Sequence, residues 1–292
     1  MENVKDLQDK VYVITGANSG VGYESALNFA RRGATVVLMC RSEERGNRAL
    51  ETIRAESDNQ DVHLYLADFS LMASVAEAAG TLRQAFPKID VLCNNAGAAM
   101  PRREVTSEGF ELTFATNHLS GFLLTQLLLQ PLLTAAEQGS ARVVFTSSLG
   151  HKSGPLDFND LQMSTGYRGL KAYGRSKLMN LLTARELFRR YGESGLVTSS
   201  FHPGAVRTSI WSKGGVMGRL LGTVLFPFMI SVEAGADTMI WLASSDDEAA
   251  DNANGDYFFK REKASVAPFA TDEDAARLWD ISMELVNPYL GD

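Results

Sequence analysis

Short β-branched runs and amphipathic helical runs alternate along this chain almost from its first residue, and that alternation leaves few folds open. Val11–Thr15 reads as a strand ending in a glycine-rich turn, and Val21–Arg32 repeats apolar residues at helical spacing until Gly33 stops it. Further strands are predicted at Thr35–Cys40, Val62–Ala67, Asp90–Cys93, Ala141–Ser147, Val197–His202 and Asp256–Lys260. Helical patterns fall between and after them, over Arg45–Glu56, Ser74–Phe86, Phe110–His118, Leu119–Leu133, Ala172–Tyr191, Val232–Ala243 and Asp272–Val286. Strands separated by helices imply right-handed crossovers and a parallel sheet covered on both faces. No linker or repeat divides the 292 residues. The expected fold is one doubly wound α/β domain over residues 1–292, with about seven strands and helices on both faces. Such sheets bind ligands at the carboxyl ends of their strands, so the residue just after each strand carries functional information.

Charge and composition remove several function classes. The formal charge is −7, which argues against a nucleic-acid partner. Two cysteines, Cys40 and Cys93, make neither a disulfide framework nor a zinc spacing. The four histidines, His63, His118, His151 and His202, show no metal motif, so no metal is expected. Met1–Lys10 carries five charged side chains and no signal-peptide core. Leu119–Ala136 is interrupted by polar residues and Pro131, and Leu220–Val232 is short and contains Pro227. A spanning helix needs about 20 mainly apolar residues, so both read as buried helix or apolar loop. A cytoplasmic protein without a transmembrane segment is the expectation.

The first turn, Thr15-Gly16-Ala17-Asn18-Ser19-Gly20-Val21-Gly22, follows a strand and opens a helix. Gly16 allows a tight turn, Gly20 lets backbone approach a pyrophosphate, and Gly22 permits close helix–sheet packing. The helix N-terminus offers free N–H groups and a partial positive charge to phosphates. The second strand then sorts the two nicotinamide dinucleotides. An acid at its end would hydrogen-bond a free ribose 2′-OH, but this strand ends Cys40-Arg41-Ser42. A guanidinium binds a 2′-phosphate through two charge-assisted hydrogen bonds, so Arg41 points to NADP(H).

Tyr-x-x-x-Lys sets a phenol and an ammonium on one helix face. The spacing occurs twice, at Tyr167/Lys171 and Tyr173/Lys177. Gly166 and Gly169 place the first pair in a loop, whereas the second opens a long helical pattern. A tyrosine of pKa ~10 is a poor base at neutral pH. One positive charge ~4 Å away would lower it by ~3 units, so Lys177 is expected to poise Tyr173.

Together these motifs resemble the short-chain dehydrogenase/reductase family over nearly the whole chain, with its Rossmann-type fold. Thr15–Gly22 matches the family's T-G-x-x-x-G-x-G, Asp68-Phe69 its residues after the third strand, and Asn94-Asn95-Ala96-Gly97 its N-N-A-G. Asn117 matches the catalytic asparagine and Ser148 the catalytic serine. Tyr173-Gly174-Arg175-Ser176-Lys177 matches Y-x-x-S-K, while the pair at Tyr167/Lys171 lacks the serine. Pro203-Gly204 matches the turn after the sixth strand, with Val206 near it and Thr208 at the nicotinamide end. The resemblance therefore implies catalytic roles for Asn117, Ser148, Tyr173 and Lys177. It implies cofactor contacts at Gly16, Asn18, Ser19, Gly20, Val21, Gly22, Arg41, Ser42, Asp68, Phe69, Asn95, Ala96, Gly97, Tyr173, Lys177, Pro203, Gly204, Val206 and Thr208. By the same analogy Asn117 holds a water in a proton relay.

Ser148 and Tyr173 stand 25 residues apart, a long gap for the family. The insert and the tail, with Asp256-Tyr257-Phe258-Phe259 and Ala275-Ala276-Arg277-Leu278-Trp279, resemble the retinol dehydrogenase-like branch. The expected activity is an NADP(H)-dependent interconversion of a carbonyl and an alcohol, on an apolar retinoid-, steroid- or lipid-aldehyde-like substrate. A segment near 205–232, rich in Leu, Met, Phe and Val, is expected to cover that substrate or to pack on the protein itself. The alternatives are a cofactor-binding scaffold or redox sensor without turnover, a protochlorophyllide reductase-like double-bond reductase, and a membrane-surface role for Leu220–Val232. The helix near Leu119–Leu133 reads as core or as the interface of a homodimer.

Overall fold

Seven strands lie parallel in one sheet: β1 (Val11–Thr15), β2 (Thr35–Cys40), β3 (Val62–Leu66), β4 (Val91–Asn94), β5 (Ala141–Thr146), β6 (Leu196–Phe201) and β7 (Tyr257–Phe259). β8 (Glu262–Lys263) runs antiparallel to β7, and the sheet order is β3-β2-β1-β4-β5-β6-β7-β8. The structure, a computed structural model, describes residues 5–139, 141–206 and 230–291. The helices are α1 (Gly20–Arg31), α2 (Glu43–Ser57), α3 (Met72–Ala85), α4 (Leu112–Phe114), α5 (Ser120–Leu127), α6 (Leu129–Glu137), α7 (Gly169–Tyr191), α8 (Val232–Ser244), α9 (Glu248–Asp251) and α10 (Asp272–Val286).

Alternation along each strand feeds two cores. Val13 and Val37 join α3, α5, α7 and α10 through Leu82, Phe122, Leu182 and Trp279. Tyr12, Ile14 and Val36 point the other way, to α1, α2 and α8 through Phe29, Ile53 and Met239. Strands covered on both faces favour apolar residues at nearly every position, which is why β1 and β2 are near-continuous apolar runs rather than alternating ones. The chain reverses its order of strand placement between β1 and β4, and the crevice at that switch point is where a doubly wound sheet takes its ligand.

Apart from shifted helix ends and the short unexpected α9, three elements differ from the sequence expectation. The sheet has eight strands rather than seven, because Lys260 and Arg261 both take positive φ (53° and 62°) and fold β8 back on β7 as a two-residue hairpin. Such a turn usually shows itself as Asn-Gly or Asp-Gly, and neither is present. The single helix expected over Leu119–Leu133 breaks at Leu128 into α5 and α6. Pro131 explains the break: it lacks an N–H, and its ring excludes the carbonyl four residues back. The helix expected over Phe110–His118 is instead α4 followed by one π turn, Ala115–Leu119.

No single helix among the described residues is long and apolar enough to cross a membrane; α4–α5 and α6 qualify only as a pair bent by 56°. That stretch is core. Leu119, Phe122, Leu123 and Leu124 are each 0% exposed. Phe122 meets Trp279 of α10 edge-on at 4.9 Å, and His118 Nε2 lies 2.9 Å from Ser282 Oγ on the same helix.

Candidate active site

The phosphate-binding turn sits at the carboxyl end of β1. Gly16 takes φ +68°, and a Cβ there would stand 3.1 Å from the Ala96 Cα, so the first and fourth strand ends can approach only with glycine at this position. Gly22 plays the packing role expected of it, since a Cβ would meet Asn95 Nδ2 at 2.5 Å and the Gly16 carbonyl at 2.7 Å. Ser19 precedes α1 but makes no side-chain cap, and the first turn holds no acid. A helix N-terminus without a side-chain cap is suited to an anion.

One cavity of about 430 Å³ runs from this turn across the strand ends. Arg41, Asp68 and Phe69 line it, and Asn18, Ser19, Gly20 and Val21 line it at the α1 terminus. Asn95, Ala96 and Gly97 come from β4, and Pro203, Gly204 and Val206 from the turn after β6. Ser148, Tyr173 and Lys177 line the same cavity. Among the described residues, three expected ones do not. Gly22 lies beneath it. Ser42 caps α2 by accepting a hydrogen bond from the Arg45 N–H (3.4 Å). Asn117 is spent on the protein: Oδ1 accepts from Ala98 N at 2.7 Å, and Nδ2 donates to Ala98 O and Ser176 Oγ. Both amide hydrogens are thereby used, so a relay water would have only the second lone pair of Oδ1. Thr208, Trp211 and nearly all of the segment expected to cover the substrate, including Leu220, lie outside the described residues.

The catalytic end is built by α7 and the 3₁₀ turn Leu149–Ser153 that follows β5. Ser148 Oγ accepts from Gly150 N at 3.1 Å. With that lone pair engaged, the serine's own proton points to the phenolic oxygen of Tyr173, whose pKa it lowers. Gly174 lets the turn press against α7: a Cβ would stand 2.5 Å from the Gly150 carbonyl. The glycine that weakens the helical pattern is what brings Ser148 beside Tyr173.

Lys177 is buried and donates from Nζ to the Thr146 carbonyl at 3.0 Å. Burial brings its pKa down to about 8. Its Nζ stands 5.6 Å from the centre of the Tyr173 ring. The Tyr173 phenol is displaced opposite to the sequence expectation: burial pushes its pKa up, and Ser148 pulls it partly back. Desolvation of the phenolate is the larger effect and the Ser148 hydrogen bond the smaller.

The other Tyr-x-x-x-Lys has a different use. Tyr167 precedes α7, and Lys171 lies exposed in its first turn. The Tyr167 hydroxyl is bonded to Glu111 Oε1 at 3.0 Å and to the Met100 carbonyl at 3.2 Å, and burial pushes its pKa up to about 12. It fastens the loop after β4 to the insert. Sequence reasoning missed Arg45, which also lines the cavity. Its signal was available, since it lies four residues after Arg41. Met100, Leu112 and Leu170, also lining it, were missed because they come from a loop, a short helix and the insert.

Geometry and sequence now point to one class. A short chain dehydrogenase family model matches residues 10–215, and the chain belongs to that family of nicotinamide-dependent oxidoreductases acting on alcohols and carbonyls. Within it the chain falls in the retinol dehydrogenase-like branch. It is 37% identical to retinol dehydrogenase 13 of Homo sapiens over 284 residues, covering 95% of this chain and 84% of that protein. It is 39% identical to retinol dehydrogenase 12 of Mus musculus, covering 95% and 86%. Among solved structures, an uncharacterized protein from Mycobacterium Paratuberculosis superposes with a TM-score of 0.76 at 31% identity, covering 98% of this chain and 97% of that one. The RhlG/NADP complex of Pseudomonas aeruginosa shares the fold, with a TM-score of 0.70 at 22% identity over 93% and 100% of the two chains.

Proposed function

We propose that this chain is an NADP(H)-dependent oxidoreductase that interconverts a carbonyl and an alcohol on an apolar substrate, working as one unit over its whole length. The observation that carries this reading is the shared cavity. Ser148, Tyr173 and Lys177 line it together with the α1 terminus, Arg41 and Arg45. A bound nicotinamide supplies the hydride. The residues supply the rest. Ser148, keeping its proton, hydrogen-bonds the carbonyl oxygen and stabilises the charge that develops there. Tyr173, kept protonated by burial, is set to deliver the hydroxyl proton when a carbonyl is reduced. Lys177, fixed by the Thr146 carbonyl, supplies donors for ribose hydroxyls and a positive charge behind the phenol.

Apolar walls support the substrate class. Met100, Leu112 and Leu170 line the cavity, and Leu170 is 73% exposed. A medium-chain or terpenoid aldehyde fits that chemistry better than a sugar or a keto acid, which would need polar partners. Turnover of lipophilic aldehydes, retinal among them, with NADPH and NADH in parallel tests the reading. NADPH-dependent reduction of at least one is expected; tight NADPH binding with no oxidation by any carbonyl would favour a non-catalytic scaffold.

The cofactor preference rests on Arg41 and Arg45. Arg41 is 63% exposed at its side chain and only 3.9 Å from Asp68, a loose pair that leaves the guanidinium free for a phosphate. Exposed charges are screened, so each is worth little alone. Replacing both Arg41 and Arg45 by alanine is expected to raise KM for NADPH about 10- to 100-fold, the scale of one or two charge-assisted hydrogen bonds. KM for NADH should stay nearly unchanged. An equal loss for both cofactors in steady-state assays would remove the 2′-phosphate argument.

A further inference from the structure

His151 is an imidazole whose polarity contributes little to the fold. It lies in the 3₁₀ turn behind Ser148 and is 0% exposed. Its Nδ1 is 2.7 Å from the Ser148 carbonyl oxygen. A carbonyl only accepts, so Nδ1 carries the proton and Nε2 is the bare nitrogen. That Nε2 is buried and finds no partner among the described residues. The ring packs against Tyr257 at 4.7 Å, edge to face, and the Tyr257 hydroxyl is likewise buried and without a partner. Burial holds His151 below the usual histidine range, and so neutral.

A phenylalanine or leucine would fill this space without leaving a nitrogen unsatisfied. The Ser148 carbonyl, moreover, already accepts the His151 backbone N–H at 3.1 Å, so the ring is not needed to satisfy it. What the imidazole adds is a second, differently directed restraint on that one peptide. Ser148 is then gripped from both sides, at Oγ by Gly150 N and at its carbonyl twice by His151.

We propose that His151 is a positioning residue for the reaction. Held as the Nδ1–H tautomer, it fixes the Ser148 peptide so that the serine hydroxyl stays beside Tyr173, within reach of the substrate oxygen. This rests on the reading above that Ser148 and Tyr173 act on a carbonyl. The imidazole touches neither substrate nor cofactor and acts only through the serine.

The test compares amide and apolar replacements. His151→Asn keeps an N–H donor where Nδ1 stood; His151→Phe keeps the ring on Tyr257 and loses the donor; His151→Gln places its donor one bond too far. His151→Phe and His151→Gln should lower kcat with NADPH and a lipophilic aldehyde by about 10- to 100-fold, the scale of a small misplacement of a reacting group. KM for both substrates, NADPH affinity and Tm should stay near wild type, and His151→Asn should recover kcat to within about threefold. The comparison of Asn with Gln stands alone should the Phe variant not fold. Wild-type kcat in His151→Phe or His151→Gln, or equal losses in Asn and Gln, would overturn the inference while leaving the functional reading in place. Wild-type protein that turns over no carbonyl would overturn both. Nitrogen-15 correlation spectra of the His151 ring add a readout free of turnover: Nδ1–H is expected, and an Nε2–H tautomer would refute the proposed grip.

Discussion

Tyr173→Phe will reduce kcat for carbonyl reduction by about a thousandfold, within the range that a positioned general acid contributes. NADPH affinity should change by less than about threefold, because the phenyl ring still fills the same wall of the cavity. Tyr167→Phe is the control. Its hydroxyl is committed to Glu111 and Met100, so its loss should cost about 1–3 kcal/mol of stability, the scale of a hydrogen bond to a buried charge, and leave kcat alone. Stopped-flow NADPH oxidation and chemical denaturation separate the two effects. Should the variants exchange phenotypes, the acid of this site is Tyr167.

Gly174→Ala has an expected sign opposite to the one helix propensity gives. An alanine inside a helix should stabilise it by ~1 kcal/mol over glycine. Here the new Cβ would stand 2.1 Å from Ser153 Oγ and 2.5 Å from the Gly150 carbonyl. The serine hydroxyl can rotate away; the backbone carbonyl cannot. Relief requires the 3₁₀ turn to move off α7, at a cost of about 1–3 kcal/mol. The same movement carries away the Gly150 N–H that holds Ser148 Oγ. We therefore expect a lower denaturation midpoint together with a fall in kcat of at least about tenfold. A more stable protein with wild-type turnover would mean that the turn and the helix are not pressed together.

The sheet was legible because its information is local. β1, β2, β4 and the middle of β5 are largely apolar runs, and a glycine-rich or polar turn follows each. The residues that end on the cavity were legible for the same reason: they stand directly after strands, or four apart on one helix. What was not legible depends on partners distant in sequence. α3 begins at Met72 rather than Ser74 because Glu108 accepts from the Met72 and Ala73 N–H groups at 2.6 and 2.9 Å. No pattern within the helix encodes a cap from 36 residues away. The upward shift at Tyr173 was misread because spacing gives the nearness of Lys177 but says nothing of desolvation. Gly174 looked like a flaw in a helical pattern until the turn it admits was seen. Arg45 and His151 were visible as residue types, yet only the fold shows that one joins the cavity and the other grips the serine.

The seating of α10 makes the end of the chain a mechanical part of its middle. The residue next to Asn117 is tied to Ser282, and Trp279 closes over Phe122 one helical turn further on. Arg190 of α7 also stacks on Trp279, at 4.8 Å. α10 thus covers the apolar side of α5 from within the same chain. Cutting the chain before Asp272 would therefore loosen the framework of the site from outside it, although no residue removed lines the cavity.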